Sequence, residues 1–183
     1  SVAGDWVDNN LESGRFRREV VDSFRPIAAM IAYLKGLGSD DQDPSNAGLE
    51  AELQQIQDKY TSYGCYCWID GVDAGVIGGG RPIDVVDHHC KELYRCYKCV
   101  LNDYSANYTD IAYSVDFTTD DNGNRALECS NNSKQDSENV CECDKRFAEN
   151  IAKAEQVKIS FRNLERQLPS SFPELITATQ DTY

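Results

Sequence analysis

Eight cysteines, all between residues 65 and 143, constrain this chain more than any other feature. They fall as Cys65-x-Cys67, Cys90, Cys96-x-x-Cys99, Cys129 and Cys141-x-Cys143. An even, clustered set in a chain of 183 residues fits an oxidising compartment better than the cytosol. A secreted, extracellular protein held by disulfides is therefore expected. The sequons Asn107-Tyr108-Thr109 and Asn131-Asn132-Ser133 agree, and make Asn107 and Asn131 glycosylation candidates. A start at Ser1, with neither methionine nor an apolar leader, is what removal of a signal peptide leaves behind.

Apolar residues make up 40% of the chain, enough for one compact core but not for two. The longest apolar run, Ile27 to Leu34, is about half the roughly 18 residues that cross a bilayer, so no stable membrane insertion is expected. A net charge of −13 repels nucleic acid and anionic membrane surfaces and favours cations or basic partners. Between Lys145 and Arg166 the sign reverses, with six Lys/Arg against three Glu, which reads as a solvated helix face.

Periodicity supplies the elements. Val20, Phe24, Ile27, Ile31 and Leu34 predict a core-facing helix over 20–35, with Pro26 tolerated in its first turn. Leu49, Leu53, Ile56 and Tyr60 predict a second, and a glycine-rich loop from Trp68 to Gly80 follows. Asp84 is placed to cap a third helix that carries Val86, Cys90, Leu93, Cys96, Tyr97, Val100 and Tyr104 on one face. Tyr113, Val115 and Phe117 alternate before Asn122-Gly123, and Arg125 to Cys129 would return as the hairpin partner. A last long helix is expected from near Val140, with Phe147, Ile151, Ala154 and Ile159 or Phe161 as its apolar stripe.

The most specific pattern is Tyr63-Gly64-Cys65-Tyr66-Cys67, then the glycine-rich loop, then Asp87-His88-His89-Cys90-Lys91-Glu92-Leu93-Tyr94-Arg95-Cys96-Tyr97. It resembles the secreted phospholipase A2 family, in which a Y-G-C-Y-C-G-x-G-G calcium loop leads into a helix reading D-x-C-C-x-x-H-D-x-C-Y. Phe24 to Leu34 looks like the family's first helix, and Val140-Cys141-Glu142-Cys143-Asp144-Lys145 looks like its second long helix. The resemblance implies a mainly α fold: two long antiparallel disulfide-linked helices, an amino-terminal helix and a small β-hairpin. It divides the chain into an extension (1–18), a phospholipase A2-like domain (19–163) and a tail (164–183).

The departures bear on function. The family's catalytic histidine position is Leu93, and the adjacent calcium aspartate position is Tyr94. Family catalysis needs an imidazole to take a proton from water and a carboxylate to help hold the calcium that polarises the ester. Leucine does not titrate, and a phenol is a poor ligand for a hard cation. A pseudoenzyme is therefore expected, with Leu93, Tyr94, Tyr97 and Asp144 as a vestigial site. Asp144 matches the carboxylate that orients the histidine, Tyr97 a tyrosine of the same network, and Tyr113 is a less securely placed third member. His88 and His89 cannot be slipped into the missing position without losing Cys90 and Cys96 together, so they read as structural histidines.

The calcium loop is also changed. From Cys67 to Cys90 the chain runs 23 positions, longer than the family pattern, and Trp68 stands where the family has glycine. Asp70 and Asp73 are the remaining metal candidates there, against the plainer reading of a solvated turn. No cofactor is expected, and calcium only weakly, through scattered surface carboxylates.

The family's pairing, carried over, implies disulfides Cys67–Cys90, Cys96–Cys143 and Cys129–Cys141. Cys65 and Cys99 lack their usual partners and are expected to pair as Cys65–Cys99. The family cysteine beside Cys90 is His89 here, and its partner position is Asn150, so both ends of that bond are gone.

The expected function is a secreted, non-catalytic binding protein for a lipid-like small molecule or a protein partner, with Phe24, Trp68, Leu93 and Tyr94 as candidate ligand contacts. One alternative is an acidic, calcium-associated extracellular or biomineral matrix protein like the otoconins. Another is an inactive acidic subunit of a phospholipase complex, and oligomerisation stays open. Finally, Arg15-Phe16-Arg17-Arg18 has the R-x-R-R form of a furin-type processing site. The extension is nevertheless expected to stay attached, with Trp6 or Val7 packed on the body.

Overall fold

Pro26 decides where the first helix starts. It lacks an N–H and so fits a first turn, where the amides have no intrahelical acceptor. Helix α1 accordingly spans Arg25–Lys35, with Phe24 as its N-cap; residues 20–23 of the expected stretch lie outside the described residues. The computed structural model describes side chains for residues 24–36, 48–61, 63–67, 80–130 and 132–157, and the backbone alone for 15–18, 47 and 158–167. Val20, Trp6, Val7, Trp68, Asp70, Asp73, Asn131 and the side chains of Ile159 and Phe161 lie outside the described residues, as does the chain beyond 167.

Helix α1 buries Ile27, Met30 and Ile31 completely and ends at Gly36, whose φ of 76° lets its amide reach back to Ala32 and Tyr33. Helix α2 (Ala47–Thr61) packs Leu53, Ile56 and Tyr60 against it. Helix α3 (Val85–Tyr104) is capped by Asp84, which accepts the Asp87 amide at 2.9 Å. Its buried residues Val86, Cys90, Leu93, Tyr97 and Val100 follow the helical repeat.

The hairpin joins β2 (Tyr113–Thr119) to β3 (Arg125–Glu128), with Phe117 opposite Leu127. Asp120 organises its turn: Oδ1 accepts the amides of Asn122 at 2.9 Å and Asn124 at 2.7 Å. A third strand, β1 (Arg15–Arg18), lies antiparallel on the other edge of β2, with Phe16 opposite Val115. The R-x-R-R stretch is therefore part of a sheet.

Helix α4 begins at Gln135, earlier than the apolar stripe suggested, and runs to Gln167. Its first turn is polar, so periodicity could not find it. Helices α3 and α4 run antiparallel: Tyr104 meets Asn139 at one level, and Tyr97 meets Asp144 at another. The bond Cys96–Cys143 links them, Cys129–Cys141 ties the hairpin to α4, and Cys67–Cys90 ties the loop to α3.

The expected Cys65–Cys99 bond is absent; both thiols are free. Geometry explains the correction. The Cys65 amide is held by Asp87, at the start of α3, and Cys99 lies 12 residues along that helix. That is about 18 Å of rise, against the roughly 7 Å Cα separation a disulfide can bridge.

Candidate functional site

Asp144 is wholly buried between α3 and α4. A carboxylate there needs donors, because desolvation without hydrogen bonds is costly. Tyr97 donates its hydroxyl to Oδ1, and Tyr113, from β2, donates to Oδ2 at 2.6 Å. Tyr108 stacks on Tyr97 at 3.7 Å between centroids, which fixes the ring. Three elements thus meet on one acidic group.

Leu93 lies one turn before Tyr97 on the same helix and is buried in the core at 2% exposure. Phe24 is likewise fully buried in that core. Tyr94 is half-buried at the next position, with the Lys98 ammonium 5.5 Å over its ring. His89 Nδ1 is 3.0 Å from Glu92, and the exposed His88 is 3.7 Å from the same carboxylate. The hydrogen bond from His89, with the charge of both rings, lowers the Glu92 pKa. No cluster of three metal-ligating side chains occurs among the described residues.

Two carboxylates that sequence reasoning passed over organise the surroundings. Asp87, fully buried, accepts the amides of Cys65 at 2.9 Å and Tyr66 at 2.7 Å on Oδ1, and that of Ile83 at 2.9 Å on Oδ2. It pins Tyr63–Cys67 against the start of α3. Gly64 is required beside it: its φ is 61°, and an added Cβ would stand 2.6 Å from the Asp87 carboxyl. Tyr63 donates to Asp84, and that hydrogen bond, more than burial, pushes its phenol up to about 12.

Glu155, on α4, is the second. Lys35 of α1 and both Lys59 and Tyr60 of α2 donate to it. Burial works to raise its pKa, but these three donors outweigh it and hold the carboxyl at about 2. Only side chains 95 to 120 positions apart make this cluster, so no local motif announces it.

Asn107, the first sequon residue, is half-buried ahead of a single 3₁₀ turn (Tyr108–Asp110). In the second sequon Asn132 is in use: its side chain exchanges hydrogen bonds with the Ser114 backbone at 2.8 Å in each direction.

Comparison with known proteins agrees with this arrangement. The family model described as Phospholipase A2 matches residues 48–162, which is more than half of the chain. A phospholipase A2 of Calliactis polypus is 30% identical over 99 residues, 54% of this chain and 54% of that protein. The acidic phospholipase A2 beta-bungarotoxin A3 chain of Bungarus multicinctus is 33% identical over 90 residues, 49% of this chain and 53% of its own length. The basic phospholipase A2 nigroxin A of Micrurus nigrocinctus is 30% identical over 95 residues, 52% of this chain and 70% of its own length. The chain thus spans about half the length of the first two. With that family matched across both long helices and the loop before them, the chain belongs to the phospholipase A2 family.

Proposed function

We propose that this is a secreted, phospholipase A2-like protein that does not hydrolyse phospholipid and serves instead to bind a hydrophobic ligand or a protein partner. One observation carries the reading. The buried Asp144 carboxylate has both oxygens engaged by tyrosine hydroxyls, and the residue one turn before Tyr97 is the apolar Leu93. Water activation needs a group that accepts a proton near neutral pH at hydrogen-bonding distance from the attacking oxygen. Leucine has none. Asp144 is sealed between two helices, where a proton taken up would break a hydrogen bond.

Calcium, which the family implies, does not fit the described side chains here. Tyr94 offers a phenol in place of a carboxylate, and the Lys98 ammonium above its ring repels a cation. Loss of a general base alone costs about 10² to 10⁴ in rate, before any loss of the metal's polarising effect.

The test is a hydrolysis assay on phosphatidylcholine micelles with millimolar calcium. No turnover above a heat-inactivated control is expected. Calcium-dependent turnover that disappears in Asp144→Asn would sink the proposal. A second reading, an inactive subunit joined to another chain, is favoured by the exposed free thiol of Cys99, since an unpaired cysteine in a disulfide-rich extracellular protein suits an intermolecular bond.

A further inference from the structure

A groove of about 540 Å³ opens between the end of α1, the start of β3 and the middle of α4, on residues separate from Leu93, Tyr94, Tyr97 and Asp144. Its walls bring together Arg125 and Lys153, with Leu34, Ala126 and Ala152 as apolar lining and Glu149 as the opposing charge. In a chain of net charge −13, a cavity lined by Lys35, Arg125 and Lys153 against the single carboxylate of Glu149 calls for an explanation.

Arg125 is held in place. Its Nη1 donates to the Tyr33 carbonyl at 2.6 Å, and its guanidinium lies 5.0 Å over the Tyr33 ring. Tyr33 is itself fixed, stacked on Phe117 at 4.8 Å and hydrogen-bonded through its hydroxyl to the Thr118 carbonyl at 2.8 Å. The guanidinium has five N–H donors in a rigid fork. One is used in this way, and Arg125 has no ion-pair partner among the described residues. Lys153 has none either, although Glu149 precedes it by one helical turn. Lys35, also on the groove, is different: it is committed to Glu155.

We infer that this groove is a binding site for a small organic anion, whose phosphate, sulfate or carboxylate group is taken by the Arg125 fork and the Lys153 ammonium while its apolar body lies along Leu34, Ala126 and Ala152. Arginine matches such oxyanions in a bidentate way, and lysine adds a point charge. The volume suits an organic molecule better than a bare ion, since small-molecule sites run from roughly 300 to 1,000 Å³. The distant negative charge of the protein does not forbid it, because at physiological salt charges beyond about 8 Å are largely screened. The same net charge disfavours an extended anionic membrane, so a monomeric solute is the occupant.

The test is isothermal titration of the intact protein with n-octyl phosphate, with inorganic phosphate, octyl glucoside and octyltrimethylammonium as comparison probes. Octyl phosphate should saturate one site and bind more tightly than inorganic phosphate, and the neutral and cationic probes should not bind there. Lys153→Gln should weaken octyl phosphate about tenfold, and Glu149→Gln should strengthen it about threefold. Lys153 is exposed and Glu149 half-buried on α4, and Glu149→Gln keeps the size and shape of the side chain, so both variants should keep the fold. Arg125→Lys keeps the charge but loses the fork, and should also weaken binding. No retention on phosphatidylcholine vesicles containing phosphatidic acid is expected; retention that is lost in Lys153→Gln would overturn the monomeric solute as the occupant. Octyl phosphate binding that ignores both Lys153→Gln and Glu149→Gln, equal binding of octyltrimethylammonium, or no saturable binding would overturn it.

Discussion

Asp87 holds three backbone amides from two segments, and Gly64 leaves the space in which it does so. Replacing the carboxylate by a methyl group strands those donors in a buried place. Each costs about 1–3 kcal/mol, so Asp87→Ala should lose about 3 kcal/mol or more in urea unfolding. Gly64→Ala should lose about 2 kcal/mol, because it combines a positive φ with a Cβ driven into the same carboxyl. Asp87→Asn, which keeps one acceptor oxygen, should fall between wild type and Asp87→Ala. A loss below about 1 kcal/mol for Asp87→Ala would show that water replaces the side chain. The sequence contains this aspartate within its most specific motif, yet nothing local says that its partners lie 21 and 22 positions upstream.

Helices α1, α2 and α4 converge on Glu155, and its ionisation is coupled to how they pack. The folded pKa, about 2, lies below the ordinary glutamate value, so deprotonation favours the folded state. That contribution is complete above the unfolded pKa of about 4.3, and it is lost as pH falls through that value towards 2. It amounts to about 3 kcal/mol for a shift of this size. Stability measured between pH 6 and 2 should therefore fall less steeply in Glu155→Gln than in the wild type, with the difference confined to the acid limb. Parallel slopes would mean that the lysines release Glu155 without cost. Much at this scale is legible in the sequence: the four helices, the hairpin strands and the Asp84 cap follow from periodicity and turn chemistry. The polar first turn of α4 carries no apolar repeat, so periodicity points to a start near Val140 although the helix begins at Gln135. Strand β1 is not legible in the sequence for another reason. Its partner is about 98 residues away, and Arg-Phe-Arg-Arg reads as a basic motif before it reads as an edge strand. The Tyr97–Asp144–Tyr113 cluster was legible only through resemblance, because its members come from two helices and a strand.

At the scale of the whole molecule, the three disulfides leave one thiol on the outside and one half-buried. Non-reducing peptide mapping should recover Cys67–Cys90, Cys96–Cys143 and Cys129–Cys141. A native protein expressed alone should take up two alkyl groups, with Cys99 reacting first because access governs thiol reactivity. Material from its source in which Cys99 resists alkylation until reduced would support a covalent partner. A Cys65–Cys99 peptide would show instead that the loop held by Asp87 moves.

The sheet carries a last consequence. Strand β1 presents Arg15–Arg18 already hydrogen-bonded to Tyr113–Asp116, with β2 between it and β3. A processing protease must enclose an extended peptide in its own cleft, and here the backbone it would grip is occupied along one side. Cleavage after Arg18 has to wait for the strand to peel away, so its rate would be a clock for local opening and not a simple property of the R-x-R-R motif. Once cut, the molecule would not merely be shorter. The uncovered backbone of β2 would be an adhesive edge, ready to accept another strand from a different chain.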